Sequence, residues 1–187
     1  MTSFLGAIQI PPQVSIFRKK NRVIFQGPLG VLSFDPDDHI KGWSGFQLEL
    51  VKQQNERWKL VVKNSDKIPN LQAYGKTLIS LIRQKIFGVS QGFFLTLDIQ
   101  GIGYKAIIDH GRIFFKLGYS HEIILNFPPS LRLFSPKPNL LCVYSVDYHK
   151  LTLFCETVRR LKKPEPYKGK GIRFQGQIVV LRTGKKK

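Results

Sequence analysis

Apolar and polar residues alternate in short stretches over the first third of the chain, as is typical of half-buried β-strands. The stretches 8–10 and 14–16 precede a basic turn at 18–22, and the apolar pattern resumes at 23–25. We expect two short antiparallel strands joined by that turn. A Gly-Pro-Leu-Gly stretch at 27–30 predicts the next turn, with another strand directly after it.

A second hairpin and then a helix are predicted next. Residues 46–50 and 58–62 are alternating or continuously apolar on either side of a polar stretch, which indicates the hairpin. Asn70 can cap the start of the helix and Gly88 can end it. The apolar residues of the helix fall at helical spacing, at Leu71, Tyr74, Leu78, Ile82 and Ile86. Such a stripe belongs in a core, so it carries no predicted site.

The same order of elements recurs in the second half of the chain. Six short strands are predicted there, at 94–99, 104–108, 113–117, 122–125, 131–134 and 140–146. Asp147 can cap a second helix and Pro164 stops it. The apolar stripe of that helix consists of Leu151, Phe154, Val158 and Leu161.

This recurrence indicates an internal duplication. Residues 23–34 and 113–124 have similar patterns ninety residues apart, and each half closes with one helix. The predicted fold class is α+β, with two similar small domains, each an antiparallel sheet packed against one helix, and an extended basic C-terminal tail. The expected divisions are a first domain at 1–88, a second at 89–163 and the tail at 164–187.

Positive charge is concentrated near the end of the sequence. Thirty Lys and Arg residues face twelve Asp and Glu residues, for a formal net charge of +18. Residues 1–88 carry +7, residues 89–158 carry +1, and residues 159–187 carry +10. Charge added for solubility would be spread evenly, whereas a concentrated basic segment favours a polyanionic partner.

Enzyme, metal and membrane motifs are not evident. Gly101-x-Gly103 lacks the third glycine of a dinucleotide loop, and the four histidines have no metal-ligand spacing. Cys142 and Cys155 lie in apolar surroundings, which favours small core residues. No apolar run approaches the roughly twenty residues of a membrane helix, and no secretory or transit leader is recognisable. We therefore expect no catalysis, no metal, no cofactor, no small-molecule substrate and no membrane partner.

The segment from Arg159 onward combines residue types that suit RNA. Tyr167 offers a ring face for stacking, and Gly169 and Gly171 would let backbone N–H groups approach the sugar-phosphate chain. Its cations exceed what a helix dipole attracts, and they are Arg159, Arg160, Lys162, Lys163, Lys168, Lys170 and Arg173. The alternative is a flexible solvated tail, which interleaved aromatic and proline residues make less favoured.

Several motifs resemble one family, the sixth protein of the large ribosomal subunit in its bacterial and organellar type. The most specific is PEPYKGKGI at 164–172. The second half of the chain also carries GVSQGF at 88–93, GIGYKA at 101–106 and LGYSHEI at 117–123, and the first half carries IQIPPQV at 8–14 and GPLGVLS at 27–33. The resemblance covers nearly the whole chain, although residues 34–46 depart from it.

The resemblance implies a structural constituent of the large ribosomal subunit that is not an enzyme. Such a protein binds large-subunit ribosomal RNA through its second domain and tail, near the sarcin–ricin loop and the translation-factor site, beside other ribosomal proteins. Carried over by position, the residues that contact RNA are Tyr167, Lys168, Gly169, Lys170, Gly171 and Arg173, with Gly101, Gly103, Tyr104 and Lys105 in a loop at the same face. Deleting 164–187 is then expected to abolish RNA binding and leave a folded body.

Compartment and two alternative functions stay open at this point. Abundant Phe and Ile suggest an AT-rich genome and an organelle ribosome, mitochondrial before plastid, with a bacterial ribosome as the alternative. A nucleic-acid-binding regulator outside the ribosome would form a free soluble pool. A basic hydrolase or transferase would need a pocket that joins His121, Glu122 and Asp98.

Overall fold

The computed structural model describes residues 2–19, 22–35, 46–52, 58–65 and 71–182. The chain divides into two compact units, Met1–Gly92 and Phe93–Lys187. Within these described ranges, each unit contains antiparallel sheets and one helix. The predicted α+β class, with two similar sheet-and-helix domains, is confirmed.

The first unit contains two three-stranded antiparallel sheets, with strand orders β1-β6-β5 and β2-β3-β4. Its elements are β1 Thr2–Gln9, β2 Ser15–Lys19, β3 Arg22–Gly27, β4 Gly30–Phe34, β5 Phe46–Lys52, β6 Trp58–Ser65 and α1 Leu71–Ser90. Both predicted hairpins are present, as β2–β3 and as β5–β6. Residues 8–9, however, belong to β1 in the other sheet, where Ile8 lies opposite Leu60. A turn at Pro11, closed by the N–H of Val14 (3.0 Å), separates β1 from β2.

Helix α1 packs on this unit through its predicted stripe. Leu78, Ile82 and Ile86 are buried, whereas Tyr74 is exposed. The helix runs two residues past Gly88, and the carbonyl of Val89 accepts a hydrogen bond from the N–H of Leu29 (3.2 Å). The predicted cap, Asn70, lies outside the described residues.

The second unit repeats this plan. Its elements are β7 Phe93–Gln100, β8 Lys105–Asp109, β9 Arg112–Lys116, β10 Ile123–Asn126, β11 Leu131–Lys137, β12 Leu140–Ser145, α2 Tyr148–Leu161 and β13 Gly171–Phe174. The sheets have orders β11-β12-β7-β13 and β10-β9-β8. Apart from β13, each strand pairs as its counterpart does in the first unit, which supports the predicted duplication.

Equivalent core positions recur ninety residues apart. Val23 and Phe25 are buried in β3, and Ile113 and Phe115 are buried in β9. The turns that follow differ, because two residues join β3 to β4 whereas six residues, 117–122, join β9 to β10. The two units therefore share the frame, and this loop is four residues longer in the second unit.

Helix α2 forms the centre of the second core. The carboxylate of Asp147 accepts a hydrogen bond from the N–H of His149 (3.2 Å), so the predicted N-cap is confirmed. The helix buries Leu151, Phe154, Cys155 and Val158 against the sheet. Burial raises the pKa of the Cys155 thiol to about 12, as desolvation of a thiolate requires. The thiol therefore acts as an apolar core group.

Part of the segment that the sequence assigned to a tail is a strand of this unit. Residues 171–174 form β13, which pairs with β7, and Ile172 is fully buried in the core. The physical reason is Ile172, an apolar side chain that lies between glycine-containing stretches and fills the space beside β7 and α2. Deletion of 164–187 would therefore remove a core residue and a sheet edge, so the expectation of an intact body after that deletion does not fit the structure.

Candidate nucleic-acid interface

One end of β7 and β13 collects the segments that the sequence singled out. Gly171 lies opposite Gln100 in the register of these two antiparallel strands. The loop 101–104, which follows β7, and the segment 162–170, which precedes β13, therefore meet at the same end of the sheet. We call this end, together with the loop 117–122, the basic end of the second unit.

The segment 162–170 is folded into a compact turn. The N–H of Glu165 donates to the carbonyl of Lys170 (2.8 Å), and the N–H of Gly169 donates to the carbonyl of Glu165 (2.9 Å). Gly169 has a φ of +68°, a left-handed conformation that glycine adopts without strain. These bonds place Tyr167 and Lys168 at the tip, where both are exposed. The expected extended segment is therefore a preformed turn.

Gly171 has a packing role. A Cβ atom at this position would lie 2.6 Å from the carbonyl oxygen of Lys163 and 2.7 Å from Cα of Pro164. The N–H of Ile172 donates to the carbonyl of Lys162 (2.8 Å), so the strand begins directly against the end of α2. Only a residue without a side chain lets β13 pass this close to the backbone of Lys163 and Pro164. This packing requirement is independent of any contact that the backbone N–H groups make with RNA.

The ring of Tyr104 is enclosed by two glycines. A Cβ on Gly101 would clash with a ring carbon of Tyr104, and one on Gly118 would lie 3.0 Å from another. The ring is partly buried and packs against the core. The sequence assigned Tyr104 to RNA contact, and the structure gives it a second role, which is to hold the loops 101–104 and 117–122 together.

Tyr119 links the same loop to the helix and was missed by the sequence analysis. Its hydroxyl donates to the carbonyl of Leu161 (2.9 Å) in the last turn of α2. The ammonium of Lys162 lies 4.3 Å from the centroid of the Tyr119 ring, within cation–π range. The LGYSHEI motif contained this residue, but only the fold shows that the motif reaches the helix end.

Two of the predicted RNA-contacting arginines are held by carboxylates. Arg159 makes two hydrogen bonds of 2.8 Å to Glu156 and lies over the ring of Phe174. Arg173 bonds Asp98 at 3.3 Å across the strand pair. The hydrogen bond from Arg159 is the main cause of the lowered pKa of Glu156, and the same bond raises the pKa of Arg159. These two guanidinium groups are fixed in place within the unit.

Other cations of the basic end are more available. Arg160 lies 3.7 Å from Glu156, but its side chain is 73% exposed. Within the described part of the basic end, the lysine side chains that have no hydrogen bond, ion pair or ring contact are those of Lys105, Lys163, Lys168 and Lys170. The arrangement presents unpaired ammonium groups around fixed guanidinium groups, which suits a polyanion with charges spaced along a backbone.

Two of the three residues of the hydrolase alternative, Asp98 and Glu122, are engaged with other side chains. Asp98 accepts hydrogen bonds from Arg173 and Gln100, and Glu122 pairs with Lys116 (2.6 Å). Neither helix within the described residues is both long and apolar enough to cross a membrane. Over those same ranges, no group of three or more His, Cys, Asp or Glu side chains is placed to hold a metal ion.

A duplicated α+β frame with cations gathered at one end is typical of one class, the small basic proteins that bind nucleic acid. The family model for ribosomal protein L6 matches residues 100–175, which include the basic end. The large ribosomal subunit protein uL6m of Reclinomonas americana is 32% identical over 183 residues, covering 96% of both chains.

Bacterial relatives are equally similar. The uL6 protein of Hydrogenobaculum is 33% identical over 95% of this chain and 92% of its own. That of Nitrosococcus oceani is 36% identical over 86% of this chain and 94% of its own. The chain belongs to the ribosomal protein L6 family, a family of structural ribosomal proteins, and the resemblance drawn from its motifs is confirmed.

Proposed function

We propose that this chain is a structural constituent of the large ribosomal subunit and binds large-subunit ribosomal RNA through the basic end of its second unit. The observation that carries the proposal is the meeting of the turn 162–170 with the loop 101–104. The meeting brings exposed lysines and an exposed tyrosine onto one surface. Family membership supports the same function, because the relatives are named as proteins of the large subunit.

The contacts are assigned by availability. Lys105, Lys163, Lys168, Lys170 and Arg160 neutralise phosphates. Tyr167, which is 56% exposed, stacks on an unpaired base or packs on a sugar. The remaining predicted residues, Arg159, Lys162, Gly169, Gly171, Arg173, Gly101, Gly103 and Tyr104, shape the surface and bring backbone groups close to the RNA.

Salt dependence tests the phosphate contacts. Purified full-length chain is titrated with transcribed large-subunit ribosomal RNA at several salt concentrations. For the Lys168→Ala/Lys170→Ala variant, we expect weaker binding and a log–log salt slope that is shallower by about 0.7–0.9 for each phosphate that is no longer neutralised. Lys150→Ala, an exposed lysine on α2, serves as the matched control. An unchanged slope in the double variant would contradict the assignment.

Co-sedimentation separates this function from that of a regulator outside the ribosome. We expect the chain to remain with large subunits after a wash in high salt, because a protein folded against RNA is held by more than screened charge. Release into a free pool at moderate salt would favour the regulator.

The proposed location within the subunit is beside the translation-factor site. Both native cysteines are buried, so Tyr167→Cys supplies an accessible thiol at the tip of the turn. An iron chelate is attached to this thiol and the variant is assembled into large subunits. Hydroxyl radicals generated at the iron are expected to cleave ribosomal RNA around the sarcin–ricin loop. Cleavage confined to a distant region would place the protein elsewhere.

We further propose an organelle ribosome, mitochondrial before plastid. The phenylalanine- and isoleucine-rich composition and the similarity to the Reclinomonas americana uL6m protein support this proposal. The bacterial relatives are as similar, so the test is fractionation of the source cells. Recovery with bacterial cytoplasmic ribosomes would decide against the organelle.

A further inference from the structure

The four-stranded sheet of the second unit has a second face that carries large side chains. Leu97, Val143 and Ile172 point into the core that contains α2. Because side chains alternate along a strand, the neighbours of these residues lie on the opposite face. We call this the outer face, and its central residues are Phe94, Phe134, Tyr144 and Arg132, beside Thr96, Cys142, Asp98 and Arg173.

The aromatic residues of the outer face form a contiguous group. Phe94 lies opposite Tyr144, and Phe134 lies opposite Cys142 in the strand registers. The rings of Phe94 and Phe134 are stacked, with centroids 5.7 Å apart and planes 30° apart. Phe94 is 53% exposed and Phe134 is 46% exposed. Adjacent exposed phenylalanines mark an interaction surface more often than an ordinary solvated one.

A groove extends this apolar surface past the sheet edge. It lies between β8 and β11, has a volume of about 450 Å³, and is lined by 106–108 and 133–138. Phe134 belongs to both the outer face and the groove, and Ile107 in the groove is also exposed. The N–H of Ala106 donates to the carbonyl of Pro138 (2.9 Å), which ties the start of β8 to the residue after β11. The groove and the outer face therefore adjoin at Phe134 and form one continuous surface.

The charge of the outer face favours a protein over RNA. Asp98 and Arg173 neutralise one another at 3.3 Å. Among the described residues of β7, β11, β12 and β13, two further cations lie at outward positions. Arg132 is near the centre of the face, and Lys137 is at its rim. RNA binding depends on several cations for its phosphates. In addition, the faces of Phe94 and Phe134 lie against each other, which leaves less ring surface for a base to stack on.

We propose that the outer face docks an apolar segment of a neighbouring protein, and that a carboxylate of this segment pairs with Arg132. Within the described residues Arg132 has no carboxylate partner of its own, so it offers the charge complement for an acidic group beside the aromatic pair. The proposal rests on the proposed place of the chain in the large subunit, where other proteins adjoin it. The basic end would bind RNA while the outer face binds protein.

Site-specific crosslinking in assembled large subunits tests this proposal. Phe134 is replaced by the photoreactive p-benzoylphenylalanine, and Leu153, an exposed residue on α2, is replaced in the same way as a control. We expect an adduct at position 134 that survives ribonuclease and whose partner peptide is apolar and contains Asp or Glu. An adduct that ribonuclease removes, an adduct with a second copy of this chain, equal adducts at both positions, or no adduct at 134 would each overturn the proposal.

Charge variants in the same subunits test the role of Arg132. Arg132→Glu is expected to lower the adduct yield at position 134 at least several-fold, and Arg132→Lys is expected to keep most of it. An equal adduct yield with Arg132, with Arg132→Lys and with Arg132→Glu would show that this side chain has no role in docking, and would overturn the proposal. Affinity of the purified chain for ribosomal RNA should be unchanged by Arg132→Glu within about twofold, as expected for a residue away from the phosphates. Loss of RNA affinity in Arg132→Glu, with affinity kept in Arg132→Lys, would instead show that the outer face binds RNA and would overturn the proposal.

Discussion

Apart from β13, the two units share one strand order. They differ at one end of the sheets, which in the second unit is the end where β7 finishes and in the first unit is the end where β1 finishes. In the first unit a two-residue turn joins β3 to β4, and β1 pairs with β6 alone among the described strands. In the second unit a six-residue loop joins the equivalent strands, and β13 occupies the other edge of β7. The added loop, the added strand and the turn between α2 and β13 all lie at the basic end.

This difference shows how a shared frame acquires a binding surface. The buried positions Val23, Phe25, Ile113 and Phe115 keep the same spacing in both units, because a one-residue shift would turn them to the wrong face. Loops and edges are free of that constraint. The second unit collects cations, glycines and tyrosines at one end while it keeps these shared core positions and adds Ile172 to them.

The largest expected effect tests whether β13 is part of the frame. Ile172→Ala removes a fully buried side chain and should lower the free energy of unfolding of the second unit by about 2–5 kcal/mol. Ile178→Ala, at a residue that is 89% exposed, should change it by less than about 0.5 kcal/mol. Denaturant titration of both variants measures the contrast. Equal free energies of unfolding for the two variants would show that β13 does not contribute to the stability of the second unit.

A smaller effect is expected where the lengthened loop meets Tyr104. Gly118 and Gly111 have similar positive φ values, +73° and +79°, but a Cβ meets the Tyr104 ring at 3.0 Å only at Gly118. Gly111→Ala should cost about 1–2 kcal/mol for the left-handed backbone alone. Gly118→Ala should cost more, since the ring must also move, and should weaken RNA binding without changing the salt slope. Thermal unfolding and RNA titration measure the two readouts. Identical results for both variants would show that Tyr104 does not hold the loops together.

The smallest effect concerns the Glu156–Arg159 pair at the end of α2. The folded-state pKa of Glu156 is lowered, so its stabilising contribution is present above the unfolded pKa and is lost as pH falls through the folded value. The stability difference between the wild type and Glu156→Gln should therefore shrink as the solution becomes acidic. Denaturant midpoints measured from neutral to acidic pH check this. In an Arg159→Gln background the pH dependence should be reduced, and an undiminished dependence there would assign it to other groups.

Much of the frame was predictable from the sequence because it depends on local pattern. The β2–β3 hairpin follows from alternation around a basic turn, and the stripes of α1 and α2 follow from helical spacing. Asp147 was recognisable as a cap because its carboxylate accepts a hydrogen bond from a backbone N–H only two residues further along the chain. Each of these features requires neighbours within a few residues.

The remaining features depend on distant pairing, which a single sequence does not display. Ile172 stands among glycines and cations, so its pattern resembles that of a solvated segment until β7 lies beside it. The pairing of Arg173 with Asp98 likewise depends on the register of two strands far apart in the chain. The sequence selects a set of cations as candidates for RNA contact, but only the fold separates those held by carboxylates from those that are available.

The position of β13 in the chain also has a consequence for folding. Gln100 of β7 acquires Gly171 as its neighbour only after about seventy residues have been synthesised and ordered, a loop closure that slows folding. Until then one edge of β7 is unpaired and open to association with another chain. We expect the final step of folding to be the docking of β13, and RNA that binds the completed basic end would draw the chain toward that state by mass action. Assembly into a particle would thus keep this edge of β7 covered.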